Sequence, residues 1–435
     1  MMADDGGQQA IAVVLKEPRG DALDISTRAS ADAPFVAGGE LPFADRSVRC
    51  IYLGDAAVSL SVRDKIQLLI ECRRILVPGG RLQCAESEAK RLHETVARWA
   101  EFVGLRDQDP QHEGCGWQKQ PAIENSSPLV SILMPSFNPR FFSEALDSAL
   151  AQTWQNTEIV ICNDCETDEI ERIAASRSGR VEIRYHHNPE RLRARKNYQK
   201  CLSLARGEYV KYLNDDDLLE ADCVTTLVRA FQEIPDLALA TSNRWRIDAH
   251  SQIIDDMPAT RPAVERDLLV GGVTLANAVI MYGLNFIGEP STAMFPRRSF
   301  AHRPHIDGDF PFHFNGEEIR GAIDLAMWSR LLVQGNAVFF SKRLSRFRIH
   351  DAQAQARPDV VARSIEGIRG LQRQWIELGL FRRFPPHLLQ SQPFPCSDRD
   401  EWRLAPVCSL PQPPVPPDEA VRIWRATARH PFDTV

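Results

Sequence analysis

From Leu129 to Asp217 the chain repeats one pattern: a short apolar run, a longer amphipathic run, then another short apolar run. "LVSILMPS" precedes "SEALDSALAQTW", "TEIVICND" precedes "TDEIERIAASR", "VEIRYHH" precedes "ARKNYQKCLSLARG", and "EYVKYLND" closes the series. Apolar runs of this length, rich in β-branched residues and bounded by turn residues, read as buried strands, and the runs between them have helical spacing. Strand–helix alternation supplies a crossover after each strand. It therefore predicts an α/β domain with a mainly parallel sheet.

In open α/β sheets ligands bind beyond the C-terminal ends of the strands. Those ends are polar here: "PSFNP", then "NDCETD" with Asp164 and Asp168, then "NDDD", Asn214 to Asp217. Adjacent carboxylates repel one another, and a cluster of oxygens suits a hard divalent cation such as Mg²⁺ or Mn²⁺. The simpler alternative is a solvated turn in which Asp217 caps the helix begun by "LLEADCVTTLVRAF". A basic counterpart stands in "NPERLRARKNYQK", where Arg191, Arg193, Arg195 and Lys196 lead into a helix, a natural seat for phosphate oxygens. Together the acids, the cation and the arginines point to a diphosphate.

The rest of the composition narrows the class. A net charge of −6 and a pI near 6.0 argue against a nucleic-acid binder. No apolar run of about 18 residues is present, so no membrane span is expected. The start, "MMADDGGQQA", lacks the features of a secretion signal. Ten scattered cysteines with one CxxC pair (Cys162, Cys165) suit a reducing cytoplasm and build no zinc site.

Three regions separate by pattern: 1–120, 128–355 and 356–435. In the first, "RCIYLGDAAVSL" reads as a strand and "SVRDKIQLLIECRRIL" as a helix with Ile66, Leu69, Ile70, Cys72 and Leu76 on one face. "VPGG" should stop that helix before the strand "RLQCAESE". The order resembles the second half of a class I methyltransferase that uses S-adenosylmethionine. The stretch "IAVVLKEPRGDALDIS" lacks that family's glycine-rich loop, so the resemblance implies a truncated module, a docking domain for a protein partner. In the third region "VVARSIEGIRGLQRQWIELGL" reads as a helix, followed by the proline-rich tail "SLPQPPVPPDEA".

The middle region resembles the family 2 inverting glycosyltransferases of the GT-A fold. "QTW", "NDCETD", "ARKN", "RGEY" and "NDDD" occur in that family's order. The resemblance implies that the backbone of Pro135, Ser136 and Phe137 and the side chain of Asp164 hold the nucleoside, with Arg195 at the diphosphate. It puts the DXD motif on Asn214, Asp215 and Asp216, so that Asp216 binds the metal with Asp217 beside it and Asn214 faces the ribose. In "GAIDLAMWSRLL" it makes Asp324 the general base, with Ile323 where the family has Glu; Glu317 and Glu318 are the fallback. It places Glu289, Ser291 and Trp328 at the acceptor or donor pocket and His350 at the metal or diphosphate. The implied reaction takes a sugar from a nucleotide donor, UDP-linked in most of this family, to a saccharide or glycolipid. The implied setting is the bacterial cytoplasm, with contact at the inner face of the membrane. A catalytically weakened sugar-nucleotide-binding scaffold and a bifunctional protein with residual methyltransferase activity are the alternatives.

Overall fold

The computed structural model describes residues 13–16, 22–23, 45–53, 57, 60–84, 89–107, 116–123, 125–177, 179, 181–300, 311–351, 353, 358–383, 386–397 and 400–410. Most of the stretch inspected for a glycine loop and most of the proline-rich tail lie outside these residues. The chain divides into two compact units, one built from the residues up to Ala122 with Trp375–Arg383, the other from the remainder.

The smaller unit carries a six-stranded sheet of β1 (Val13–Lys16), β2 (Ala22–Leu23), β3 (Val48–Leu53), β4 (Leu76–Cys84), β5 (Leu105–Asp107) and β6 (Gly116–Lys119), with helices α1 (Val62–Ile75) and α2 (Ala89–Phe102). Its strand order is β2-β1-β3-β4-β6-β5. Among its described strands only β3 and β4 pair in parallel, joined by α1. Ser61 caps α1 by accepting the Asp64 amide at 3.2 Å. The helix buries Ile66, Leu69 and Cys72 as its spacing predicts, and Ile70 is half-buried. "VPGG" lies inside β4, because the strand starts directly at Leu76 with no intervening turn.

The larger unit is built on β7 (Val130–Ser136), α3 (Phe142–Leu150), β8 (Thr157–Asn163), α4 (Glu169–Ala175), β9 (Glu182–His187), α5 (Arg193–Leu204), β10 (Tyr209–Tyr212), β11 (Leu218–Leu219) and α6 (Cys223–Glu233). It continues through β12 (Leu239–Ile247), β13 (Leu268–Val270), α7 (Gly272–Tyr282), β14 (Met294–Pro296), the hairpin β15 (His313–Phe314) and β16 (Glu317–Glu318), α8 (Ile323–Leu332) and β17 (Ala337–Arg348). Helix α9 (Pro358–Glu377), up to Gln374, and strands β18 (Leu388–Pro393) and β19 (Arg403–Pro406) complete it.

Its main sheet has the order β19-β18-β13-β17-β12-β14-β10-β7-β8-β9, with β11 paired to β17. The strands β10, β7, β8 and β9 are parallel, as the alternation predicts. Strands β7, β8 and β10 are buried throughout, which fits a parallel core covered on both faces. Beyond β10 the expectation of a mainly parallel sheet fails. There β12 and β17 pair in parallel, but β14, β13, β18 and β19 all run antiparallel to their neighbours. Helices α7 and α9 precede β14 and β18, but they do not return the chain to the parallel neighbour of the preceding strand, so these strands pair antiparallel. Two of them, β18 and β19, come from a region read only as helix and tail.

The sheet rests on Val130, Ile132, Met134, Ile159 and Ile161 packed against Phe142, Leu146, Leu227 and Phe231. Phe142, Ala145, Leu146 and Ala149 form the buried stripe of α3 at helical spacing. The packing brings the ends of β7, β8 and β10 to one rim. The pairing of Leu218 with Arg346 lays the 214–217 turn against the end of β17.

Candidate active site

Each aspartate of the turn after β10 has a different environment. Asp215 accepts the Phe137 and Asn138 amides at 2.6 and 2.7 Å, so it ties this turn to the loop after β7. The Phe137 backbone is therefore committed to protein, and a nucleoside would meet its exposed ring, over which the Arg191 guanidinium lies at 4.1 Å. Asp217 is buried. Its Oδ2 accepts from Ser291 at 2.6 Å and Asn214 at 3.0 Å, and its Oδ1 from the Arg348 amide at 3.1 Å. One expectation is corrected: Asp217 does not cap α6, where Asp222 stands at the N-cap. Ser291 and Asn214 are tied to the same frame: Ser291 accepts the Asn214 amide at 3.0 Å, and the Asn214 side chain also accepts from Tyr198.

Asp216 is the open member. Its carboxylate meets His350 Nε2 at 3.2 Å, and its backbone oxygen accepts from Arg348 at 2.7 Å. Burial, reinforced by Asp215 and Glu289, pushes Asp216 up to about 7. Burial also raises Asp215, and burial with Asp216 and Glu289 raises Asp217 strongly. A turn of carboxylates this reluctant to ionise is relieved by a cation. His350 is shifted down by burial and by Arg140, and so stays neutral and able to donate a lone pair.

Beneath the turn, Lys211 is fully buried and donates to the Ser291 carbonyl; burial pushes it down to about 8. Arg348, equally buried, donates to Asp248 O, Ser251 Oγ and Glu144 as well as to Asp216 O, and lies 4.4 Å over the Phe141 ring. Sequence reasoning missed it. The available signal was an arginine ending an otherwise buried strand, which must find partners for its five donors.

In the loop after β8, Asp164 is buried and accepts from Asn188 at 3.0 Å and from the Leu192 and Arg193 amides at 2.7 Å each. It fastens the entry to α5, where Arg193 sits at φ 62°. Arg195 lies two residues further on and pairs with Glu318 of the β15–β16 hairpin. That pairing holds Glu318 below its ordinary range and makes it a poor fallback base. Glu317 accepts from Gln374 at 2.7 Å.

Asp324 opens α8 just after Gly321 at φ 77° and Ala322 at φ 45°. A left-handed alanine is strained, and such strain persists where surrounding structure fixes it. Asp324 Oδ2 accepts from Asn285 at 2.6 Å and Oδ1 from the Leu325 amide at 2.9 Å. Burial, with a contribution from Glu289, pushes it up to about 6. Glu289 is ion-paired to the buried Arg244 at 2.8 Å. Trp328 is fully buried and donates to the Gly288 carbonyl at 2.9 Å, so it braces the 285–289 turn. No group of three or more His, Cys, Asp or Glu side chains among the described residues forms a metal cage. No described helix is long and apolar enough to cross a membrane.

Residues 131–269 match the model of the family described as Glycosyl transferase family 2. The chain is 41% identical over 229 residues to an uncharacterized glycosyltransferase, RT0329, of Rickettsia typhi, covering 52% of this chain and 66% of that one. It is 30% identical over 246 residues to the uncharacterized protein MT1568 of Mycobacterium tuberculosis, covering 54% and 71%. Among solved structures, TarS 1-349 of S. aureus in complex with UDP-GlcNAc aligns with 17% identity and a TM-score of 0.42 over 54% of this chain and 64% of that chain. Residues 131–269 are thus similar to glycosyl transferase family 2, and the chain spans less than two thirds of most of the curated relatives it matches, among them the putative glycosyltransferase EpsE of Bacillus subtilis at 35% of its length.

Proposed function

We propose that the larger unit is an inverting transferase that moves a sugar from a nucleoside diphosphate, most simply UDP, to a saccharide or glycolipid hydroxyl. One observation carries this reading: Asp216 and Asp324 stand on different elements, both are pushed toward neutrality, and the charge of Glu289 acts on both. We read them as one site because the 285–291 segment bonds both sides of it, Ser291 to Asp217 at 2.6 Å and Asn285 to Asp324 at 2.6 Å. A carboxylate near 6 is matched to accepting a proton from an attacking hydroxyl at neutral pH, which assigns Asp324 as general base. Asp216 with His350 would hold Mn²⁺ or Mg²⁺, hard cations that need few protein ligands when water and phosphate oxygens complete the shell. When bound, the ion supplies positive charge to the departing diphosphate. Arg195 would add charge to the same group, and the Phe137 ring with Arg191 would offer a face to the base. Residues 1–120 are assigned to protein docking at the inner face of the membrane, and 356–435 to an appended helix and tail.

The test is calorimetric titration of UDP with Mn²⁺ present and again after EDTA. Metal-dependent binding that weakens in Asp216→Ala supports the reading. Binding indifferent to both metal and Asp216 would remove the metal site, and binding without hydrolysis of any nucleotide sugar would favour a scaffold.

A further inference from the structure

The turn between α7 and β14 is built around Asn285. Its side-chain oxygen accepts the Gly288 amide at 3.0 Å, and its Nδ2 donates to the Gly288 carbonyl at 2.9 Å and to Asp324 Oδ2 at 2.6 Å. These partners settle the orientation of the amide. Flipped, it would set its oxygen against a carbonyl and a carboxylate.

The turn is itself fixed. Buried Arg244 donates to the Asn285 carbonyl at 3.0 Å and the Phe286 carbonyl at 3.3 Å, and Trp328 donates to Gly288. Gly288 stands at φ 111°, and a Cβ there would come within 2.4 Å of Thr292 Oγ1, so no other residue fits. A chain of direct bonds thus runs from β12 through the turn to Asp324.

We propose that Asn285 is a positioning residue for Asp324, fixing the rotation of its carboxylate and favouring the ionised form that can accept a proton. The inference rests on Asp324 being the general base. A donor aimed at a carboxylate stabilises the anion over the acid, and a base held by a third group keeps its productive orientation. Asn285 therefore offsets the burial that pushes Asp324 up. The charged and titratable groups on the elements packed against α8 are Glu289 of the turn, Arg244 and Arg246 of β12, Tyr282 of α7, and His313, Glu317 and Glu318 of the hairpin; Arg330 lies on α8 itself. Of these, Glu289 opposes ionisation of Asp324, in the same sense as burial.

The test follows the Asp324 carboxylate by infrared difference titration of the full chain against Asp324→Asn, a readout that requires no donor. In Asn285→Ala the midpoint should rise by on the order of one pH unit, and more in Asn285→Asp, which adds a like charge. Asn285→Ser, which keeps a donor, should fall between and serves if the alanine variant does not fold. An unmoved midpoint in a folded variant overturns the proposal. Hydrolysis of UDP-sugars separates it from the reading beneath it. The acid limb of kcat/KM should move up with the midpoint while UDP affinity holds, and turnover retained in Asp324→Ala would sink the base assignment but leave the positioning measurable.

Discussion

The loops after β8 and β10 each bring an aspartate to the same rim, and they use it in opposite ways. Asp164 accepts three protein donors. Asp216 meets a histidine and is left short of the positive charge its surroundings call for. A carboxylate saturated by amides is a structural joint; one raised by burial and like charge is poised for a ligand. Residue type and position at a strand end are the same in both loops. The difference lies in which donors the fold aims at each.

Replacement should invert the two in stability. Asp164→Ala leaves the Asn188 amide and two backbone N–H groups at the start of α5 without an acceptor, a cost of about 2–4 kcal/mol. Asp216→Ala removes a crowded charge and should leave thermal unfolding unchanged or shifted upward, while abolishing metal-dependent UDP binding. Melting curves of both variants decide it. Equal losses of stability would dissolve the distinction.

A pH series of the metal-free protein sharpens the same contrast. Asp216 moves from an ordinary 3.8 to about 7 in the fold. The folded state thus binds its proton more tightly, so this group's contribution to stability is complete below about 4 and is lost as pH rises through about 7. Asp324 and Asp217 have the same sign, so the quantity to measure is the difference in unfolding free energy between wild type and Asp216→Ala across that window. It should decline with rising pH. Mn²⁺, which needs the ionised carboxylate, should stabilise the wild type increasingly over the same range.

What the sequence made legible follows from these physics. The β7–β10 half was readable because crossovers impose a regular alternation, whereas β13, β14, β18 and β19 are short, antiparallel and irregularly spaced. The acids at the rim were readable as a group, but Asp serves equally well as turn acceptor and as ligand. Asp164 and Asp217 could be told from Asp216 only once the Leu192, Arg193 and Arg348 amides were in place. Arg348 and Asn285 act through partners 132 and 39 residues away, which no local pattern encodes.

The smallest expected effect concerns the arginine between the two loops. Arg195 enters α5 just past the joint made by Asp164 and is engaged by Glu318, so a diphosphate must compete for it. Both side chains are roughly a third exposed, at 28% and 37%, where such pairs contribute little. Glu318→Gln should therefore tighten UDP binding by no more than about fivefold, and the gain should shrink as salt screens the pair. Arg195→Ala should weaken binding in the same titration. If neither variant alters UDP affinity, Arg195 belongs with Asp164 among the structural joints, and the diphosphate must draw its charge from the metal and from Arg191.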